Sequence, residues 1–326
     1  MNGSRILGTG SYIPANIVSN KAIEGLVDTS DQWIRERTGI VERRISQGET
    51  TSDLATKAAL EALKDSGISA DKIDLIIVAT ITADSIVPSV ACKVQKNIGA
   101  VNAMAFDINA ACSGFIFALD VAENYIASKR AENVLVIGSE VLSKIVDWKD
   151  RNTCVLFGDG AGAIVLGKDS EKHINYVNCK SIGEKWESLT CEGGPIENPY
   201  VDLKHSYDSK IRMNGKDIYK FAVKVMEDEF NRILELGNLT KEDIKFILPH
   251  QANIRMIESF SKKIGIPIER FIINLQNVGN TSGASIPIAL DEANKSGNLI
   301  NGDNIIFIGF GGGLTFGSSL VRWNKK

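Results

Sequence analysis

Asn133-Val134-Leu135-Val136-Ile137-Gly138 recurs as Asn304-Ile305-Ile306-Phe307-Ile308-Gly309, displaced by 304 − 133 = 171 residues. Two further matches share that displacement. Ala118-Leu119-Asp120 returns as Ala289-Leu290-Asp291, and the run Ser69–Val78, with Ile73 opening its apolar part, returns as Thr240–Pro249, with Ile244 in that place. One short match arises by chance, but three at a single offset point to a duplicated fold. The period is far too long for a solenoid. Two halves are therefore expected, residues 1–170 and 171–326.

The order of elements supports this reading. In each half a helical pattern (Ser52–Ser66; Ile218–Leu236) precedes an apolar strand, then a loop and a second helix. A strand, a glycine-rich turn and another strand follow. Runs of Ile and Val without polar alternation mark strands buried on both faces. Strands alternating with helices place the chain in the α/β class with mixed layers. The polar stretch Lys168–Arg212 reads as an irregular connection between the halves.

Composition narrows the function. The chain has 326 residues, 44% hydrophobic and 24% charged, with net charge −3. That is ordinary globular usage, and the absence of net positive charge argues against a nucleic-acid coat. No apolar run approaches a bilayer span, and the first residues lack a signal-peptide pattern, so a cytoplasmic protein without a membrane partner is expected. The five cysteines show no Cys-x-x-Cys pair, and with three histidines none forms a zinc-type cluster. Reduced thiols and no metal site are expected.

Chemistry concentrates at Cys112. Ala110-Ala111-Cys112-Ser113-Gly114 follows a short strand, Ala105–Ile108, and opens an apolar helix, Gly114–Ala127. A cysteine there feels the helix dipole, which favours the nucleophilic thiolate. Cys92, Cys154, Cys179 and Cys191 read as packing residues. His250 closes the strand Ile244–Pro249, and Asn280 lies in a loop before the helix that is the twin of the one following Cys112. At the offset of 171, Cys112 corresponds to Gly283 and His250 to Ala79. If the halves pack about a local two-fold, Cys112, His250 and Asn280 meet at one site. The run Gly309-Phe310-Gly311-Gly312-Gly313 joins two strands, and its backbone could approach a ligand and donate to an oxyanion. Its counterpart, Gly158-Asp159-Gly160-Ala161-Gly162-Ala163, is not a phosphate loop, since no Gly-Lys-Ser/Thr follows.

These motifs together resemble β-ketoacyl-acyl-carrier-protein synthase III, the initiating condensing enzymes of type II fatty-acid synthesis within the thiolase superfamily. The resemblance rests on Trp33-Ile34-x-x-Arg37-Thr38-Gly39-Ile40, Ala111-Cys112-Ser113-Gly114-Phe115, Phe157–Ala163, His250-Gln251-Ala252-Asn253, Asn280-Thr281-Ser282 and Gly311-Gly312-Gly313. It implies a layered α-β-α-β-α fold and a homodimer. It also implies a decarboxylating condensation of a short acyl-CoA with malonyl-acyl-carrier protein, in which Cys112 carries the acyl group. His250 and Asn280 would stabilise the enolate, and the amides of Cys112 and Gly312 the oxyanion. No cofactor or metal is implied.

Further roles follow from position in the family pattern. Trp33 and Arg151 would stack on the CoA adenine, Arg37 and Thr38 hold the nucleotide end, and Gly215 and Asn253 touch the pantetheine arm. Lys220, Arg255, Lys262 and Lys263 would dock the acidic carrier protein. Val87 stands where many members carry an aromatic residue that reaches the neighbouring subunit's acyl pocket, and Lys216 where an asparagine is common. A relative using malonyl-CoA or a small acceptor in a secondary pathway would share the triad, as would a cysteine hydrolase. A non-catalytic scaffold would leave the triad unexplained.

Overall fold

The computed structural model describes residues 3–196, 198–200 and 207–325. His205 lies outside the described residues. Strand β1 (Gly3–Tyr12) is followed by helices α1 (Asp31–Thr38) and α2 (Thr51–Ser66). Strand β2 (Leu75–Ala79), helix α3 (Val90–Ile98), strand β3 (Met104–Ile108) and helix α4 (Gly114–Ala127) come next. Strands β4 (Asn133–Glu140) and β5 (Gly160–Asp169) complete a five-stranded sheet of order β1-β5-β4-β2-β3.

The chain enters a second sheet at β6 (Ile174–Ser181). Helix α5 (Gly215–Gly237), strand β7 (Ile244–Pro249), helices α6 (Ile254–Ile264) and α7 (Ser285–Lys295), and strands β8 (Asn304–Gly311) and β9 (Thr315–Arg322) follow. This sheet has four strands in the order β7-β8-β9-β6. Both sheets contain a parallel pair (β2 with β4; β7 with β8), and the next two strands join it antiparallel. The orders coincide once β1 is set on β6, β5 on β9, β4 on β8 and β2 on β7.

The duplication is visible in single residues. Gly3, Gly114 and Asn133 start elements whose twins start at Ile174, Ser285 and Asn304, each 171 positions on. Before α4 and α7 lie equivalent 3-10 turns, Ala111–Ser113 and Ser282–Ala284. Their first residues are both left-handed, φ +47° at Ala111 and +51° at Ser282. Such a conformation costs a non-glycine residue about 1–3 kcal/mol and persists where the surroundings impose it.

Five layers result. Helices α4 and α7 form the middle layer, sharing one apolar core with the inner faces of both sheets through residues such as Phe115, Ile116, Leu290 and Phe307. Helices α2 and α3 cover the outer face of the first sheet, and α5 and α6 that of the second. Helix α2 begins with a reciprocal capping box between Thr50 and Asp53, worth about 1 kcal/mol. Half of its buried residues are alanine, and β1 comes close to them: a Cβ on Gly10 would lie 2.3 Å from the amide nitrogen of Ala62.

Two expectations are corrected. The stretch read as an irregular connection contains β6, which pairs with β9. Only its first residue is fully buried, so it lacks the Ile/Val run that exposes a buried strand in a sequence. Cys92 and Cys191 are exposed rather than packed inside, whereas Cys154 is buried and Cys179 half-buried.

Candidate active site

Cys112 is the middle residue of the 3-10 turn between β3 and α4, and is 7% exposed. The glycine run at the end of β8 closes against it: a Cβ on Gly311 would sit 2.6 Å from the Cys112 amide nitrogen. Only glycine permits that approach, which brings β8 of the second half onto the turn of the first. Ser113 ties the same turn to β9, its hydroxyl donating to Thr315 Oγ1 at 2.8 Å.

His250 follows the last residue of β7, and its amide donates to Ile308 O of β8 at 2.8 Å. The ring is buried and meets Phe310 edge-to-face, with centroids 5.3 Å apart. Nδ1 is 2.7 Å from Ser285 Oγ. Asn280 is held from both halves. Its amide donates to Leu156 O at 2.9 Å, and its carbonyl accepts from the Gly158 amide at 3.0 Å. Its side-chain Oδ1 accepts from the Ser282 amide at 2.8 Å. That bond settles the orientation of the carboxamide, leaving Nδ2 to face the cavity as a donor.

Cys112, His250 and Asn280 line one cavity of about 870 Å³, together with Gly311 and Phe310. Cys112 also lines a second cavity of about 680 Å³, with Gly312, Ser282, Thr82 and Cys191. It therefore stands at the wall between two chambers.

Burial sets the charge states. It pushes the His250 imidazole down to about 3, so the ring is neutral near pH 7. It pushes the Cys112 thiol up to about 12; the nearby Glu140 carboxylate adds to the rise, and the Ser282 hydroxyl opposes it. The helix start favours a thiolate, but burial of the sulfur holds the resting group as the thiol. Glu140 is itself a buried acid, raised to about 7 by desolvation, and its Oε2 accepts from Thr80 Oγ1 at 3.2 Å. One expected result follows. Alkylation of Cys112 by iodoacetamide should rise about tenfold per pH unit from pH 7 to 9, because only the thiolate reacts. Peptide mass spectrometry separates it from the exposed Cys92 and Cys191; a plateau below pH 8 would contradict the raised pKa.

The other sequence-derived residues lie in four places. Trp33, Arg37, Thr38, Gly215, Lys216 and Asn253 all line the larger cavity. Two of these have their polar groups engaged by the fold. Thr38 Oγ1 donates to Ile34 O at 2.7 Å, and Asn253 caps α6 while its Nδ2 donates to Arg37 O at 2.9 Å. Arg151 lies with its guanidinium carbon 4.0 Å from the Trp33 ring centroid. An aromatic ring between them would need roughly twice a 3.5–4.0 Å contact, so the pair is closed here. Val87 is 80% exposed and lines neither of the two cavities.

Lys220 on α5 and Arg255, Lys262 and Lys263 on α6 are exposed. The two helices adjoin at this end, where Tyr219 Oη donates to Arg255 O at 3.5 Å. Lys263 is paired with Glu227 at 2.7 Å, which reduces the net charge of that face. Among the described residues no group of three or more His, Cys, Asp or Glu could hold a metal ion, and no helix is long and apolar enough to cross a membrane.

Sequence reading missed Ser285, the backbone of Leu156, and what Ser282 does for Asn280 and Cys112. The bridge between Phe157 and Asn280 gives the Phe157–Ala163 motif its use: it fixes a side chain contributed by the other half.

Residues 106–183 match the family model described as 3-oxoacyl-[acyl-carrier-protein (ACP)] synthase III, and residues 234–323 match the model of its C-terminal part. The chain is 54% identical over 325 residues to a β-ketoacyl-[acyl-carrier-protein] synthase III of Clostridium acetobutylicum, covering 100% of both chains. It is similar in structure to 3-oxoacyl-[acyl-carrier-protein] synthase III of Aquifex aeolicus, with TM-score 0.92, 46% identity and coverage of 98% of this chain and 100% of that one. It is also similar to the priming β-ketosynthase of the R1128 polyketide pathway, with TM-score 0.93, 34% identity and coverage of 99% and 97%.

Proposed function

The chain belongs to the 3-oxoacyl-[acyl-carrier-protein] synthase III family, and we propose from that premise that Cys112, His250 and Asn280 divide its reaction into two half-reactions. The enzyme is an acyltransferase, the initiating condensing enzyme of fatty-acid synthesis, with the thiolase-like duplicated fold. One observation carries the proposal: three buried polar side chains, drawn from both halves, share the floor of a cavity whose rim carries Trp33, Arg37 and Lys216.

In the first half-reaction Cys112 Sγ attacks the carbonyl of a short acyl-CoA. The carbon–sulfur bond to CoA breaks, and the thiol proton ends on the CoA sulfur. Because the resting thiol is protonated, proton loss accompanies attack. The amides of Cys112 and Gly312 are the proposed donors to the tetrahedral oxyanion. In the second half-reaction malonyl-acyl-carrier protein loses carbon dioxide, and the electron pair released becomes an enolate on the thioester. His250 Nε2 and Asn280 Nδ2 donate to its oxygen. The carbanion carbon then attacks the acyl carbonyl and expels Cys112 as a thiolate, giving the 3-oxoacyl-carrier protein, and the thiolate takes a proton from water to restore the resting thiol. A neutral imidazole suits a donor that must not itself lose charge.

Trp33, Arg151, Arg37 and Thr38 are the proposed contacts to the nucleotide of CoA, once Arg151 swings from the Trp33 face. Gly215 and Asn253 are those to the pantetheine arm. Lys220, Arg255, Lys262 and Lys263 are the proposed docking face for the carrier protein. A homodimer is supported by two features. Strand β3 is a sheet edge paired on one side only, with Met104 exposed, and Ile86 and Val87 project into solvent. Val87 would then border the acyl chamber of a second copy, leaving more room than an aromatic residue. We place the reaction in the cytoplasm.

Likeness to the polyketide priming synthase favours one alternative, a secondary pathway with a different primer. A panel of acyl-CoA primers, each offered malonyl-acyl-carrier protein or malonyl-CoA, tests both. The expected outcome is preference for the carrier protein, with primers longer or more branched than acetyl accepted. Equal or better use of malonyl-CoA would overturn the carrier-protein assignment.

A further inference from the structure

His250 and Ser285 occupy a contact that the fold builds twice. Subtracting 171 from each gives Ala79 and Gly114. These also meet: a Cβ on Gly114 would lie 3.1 Å from the Ala79 Cβ. In the first half the contact between strand end and helix start has no side-chain polar atom. In the second it is an imidazole facing a hydroxyl at 2.7 Å, with Ser285 1% and His250 2% exposed. The twin contact stands without a hydroxyl, so packing alone does not require one at Ser285. Nor does Ser285 cap its helix, since α7 has no side-chain capping bond.

The sense of the bond can be read from its surroundings. Ser285 Oγ accepts from the Gln251 amide at 3.4 Å. Its own hydrogen then has one acceptor among the described hydrogen bonds, His250 Nδ1. A hydroxyl donating to Nδ1 leaves the imidazole hydrogen on Nε2. Phe310, edge-to-face at 73°, limits rotation of the ring. We propose that Ser285 is a positioning residue that holds His250 as the Nε2–H tautomer, so that Nε2 donates to the developing enolate oxygen. This rests on the reading above that His250 stabilises the enolate.

The role predicts a split between the half-reactions. Decarboxylation needs the Nε2 donor, whereas acyl transfer to Cys112 does not. The test uses the full chain labelled with 15N-histidine, the His250 signals being assigned with a His250→Gln variant. Wild type should show a protonated Nε2 and a hydrogen-bonded, unprotonated Nδ1 at pH 7. Ser285→Ala should show a mixture of tautomers. It should also release carbon dioxide from malonyl-carrier protein about tenfold more slowly, one hydrogen bond's worth of preference. Acylation by acetyl-CoA and the KM for the malonyl substrate should stay within about twofold, and Ser285→Thr should restore the wild-type spectrum and rate. Ser285→Gly, carrying the residue of the twin position, serves if the alanine variant fails to fold. An Nδ1–H tautomer in wild type, or an unmoved tautomer in the variants, would overturn the role of Ser285. A shifted tautomer with unchanged decarboxylation would instead overturn it through its premise, the enolate role of His250.

Discussion

Cys112→Ala should lose condensation by on the order of 10⁶-fold, the scale seen when a covalent nucleophile is deleted from residues that act as a unit. No adduct should form with acetyl-CoA, because alanine has nothing to attack the thioester. The size of the effect follows from the absence of a substitute. Cys191, the other cysteine on the second cavity, comes from an exposed segment and not from the turn that Gly311 and Ser113 clamp. Cys112→Ala should still release carbon dioxide from malonyl-carrier protein, since His250 and Asn280 are held by Ser285, Ser282 and Leu156 rather than by Cys112. Intact-protein mass spectrometry with a labelled carbon dioxide assay reads both halves. An undiminished acetyl adduct on the variant would remove Cys112 from its role.

Asn280→Asp should do the reverse. The aspartate keeps an oxygen to accept from the Ser282 amide, so the loop stays seated, but the cavity-facing donor Nδ2 becomes an oxygen. Loss of one pre-set donor to an oxyanion typically costs about 10²–10³ in rate, or about 2.7–4 kcal/mol. Carbon dioxide release should fall by that amount or more, since a carboxylate also repels the enolate. Acylation of Cys112 should stay within about threefold of wild type, because Asn280 takes no part in that step. Asn280→Ala should lose the same half-reaction. Unchanged carbon dioxide release in both variants would remove Asn280 from the enolate site.

What was legible in the sequence depended on whether a signal was local. Asn133–Gly138 and Asn304–Gly309 announce themselves because fully buried strands tolerate little but Ile, Val, Leu and Phe, so both copies kept one pattern. Strand β6 carries no such constraint. It is half-buried at the sheet edge, and its polar residues read as loop until its pairing with β9 is seen. At the candidate site, the meeting of Cys112, His250 and Asn280 in one cavity was legible from their places in the repeat. Their charge states were not, because the rise at Cys112 and the fall at His250 come from burial by segments distant in sequence. Ser285 escaped for the same reason: a serine at a helix start reads as a cap, and only the fold sets it against His250. Glycines such as Gly311 were visible as a run, while the need for them lies in the 2.6 Å approach to Cys112.

The division of labour in one cavity is tested most directly by a chase. Acetyl-enzyme, formed on Cys112 and freed of CoA, is mixed with malonyl-acyl-carrier protein, and carbon dioxide, acetyl-Cys112 and product are followed together. Loss of the acetyl group should match carbon dioxide and 3-oxobutanoyl-carrier protein one for one. Acetyl loss as acetate, or decarboxylation that leaves acetyl-Cys112 intact, would contradict the account.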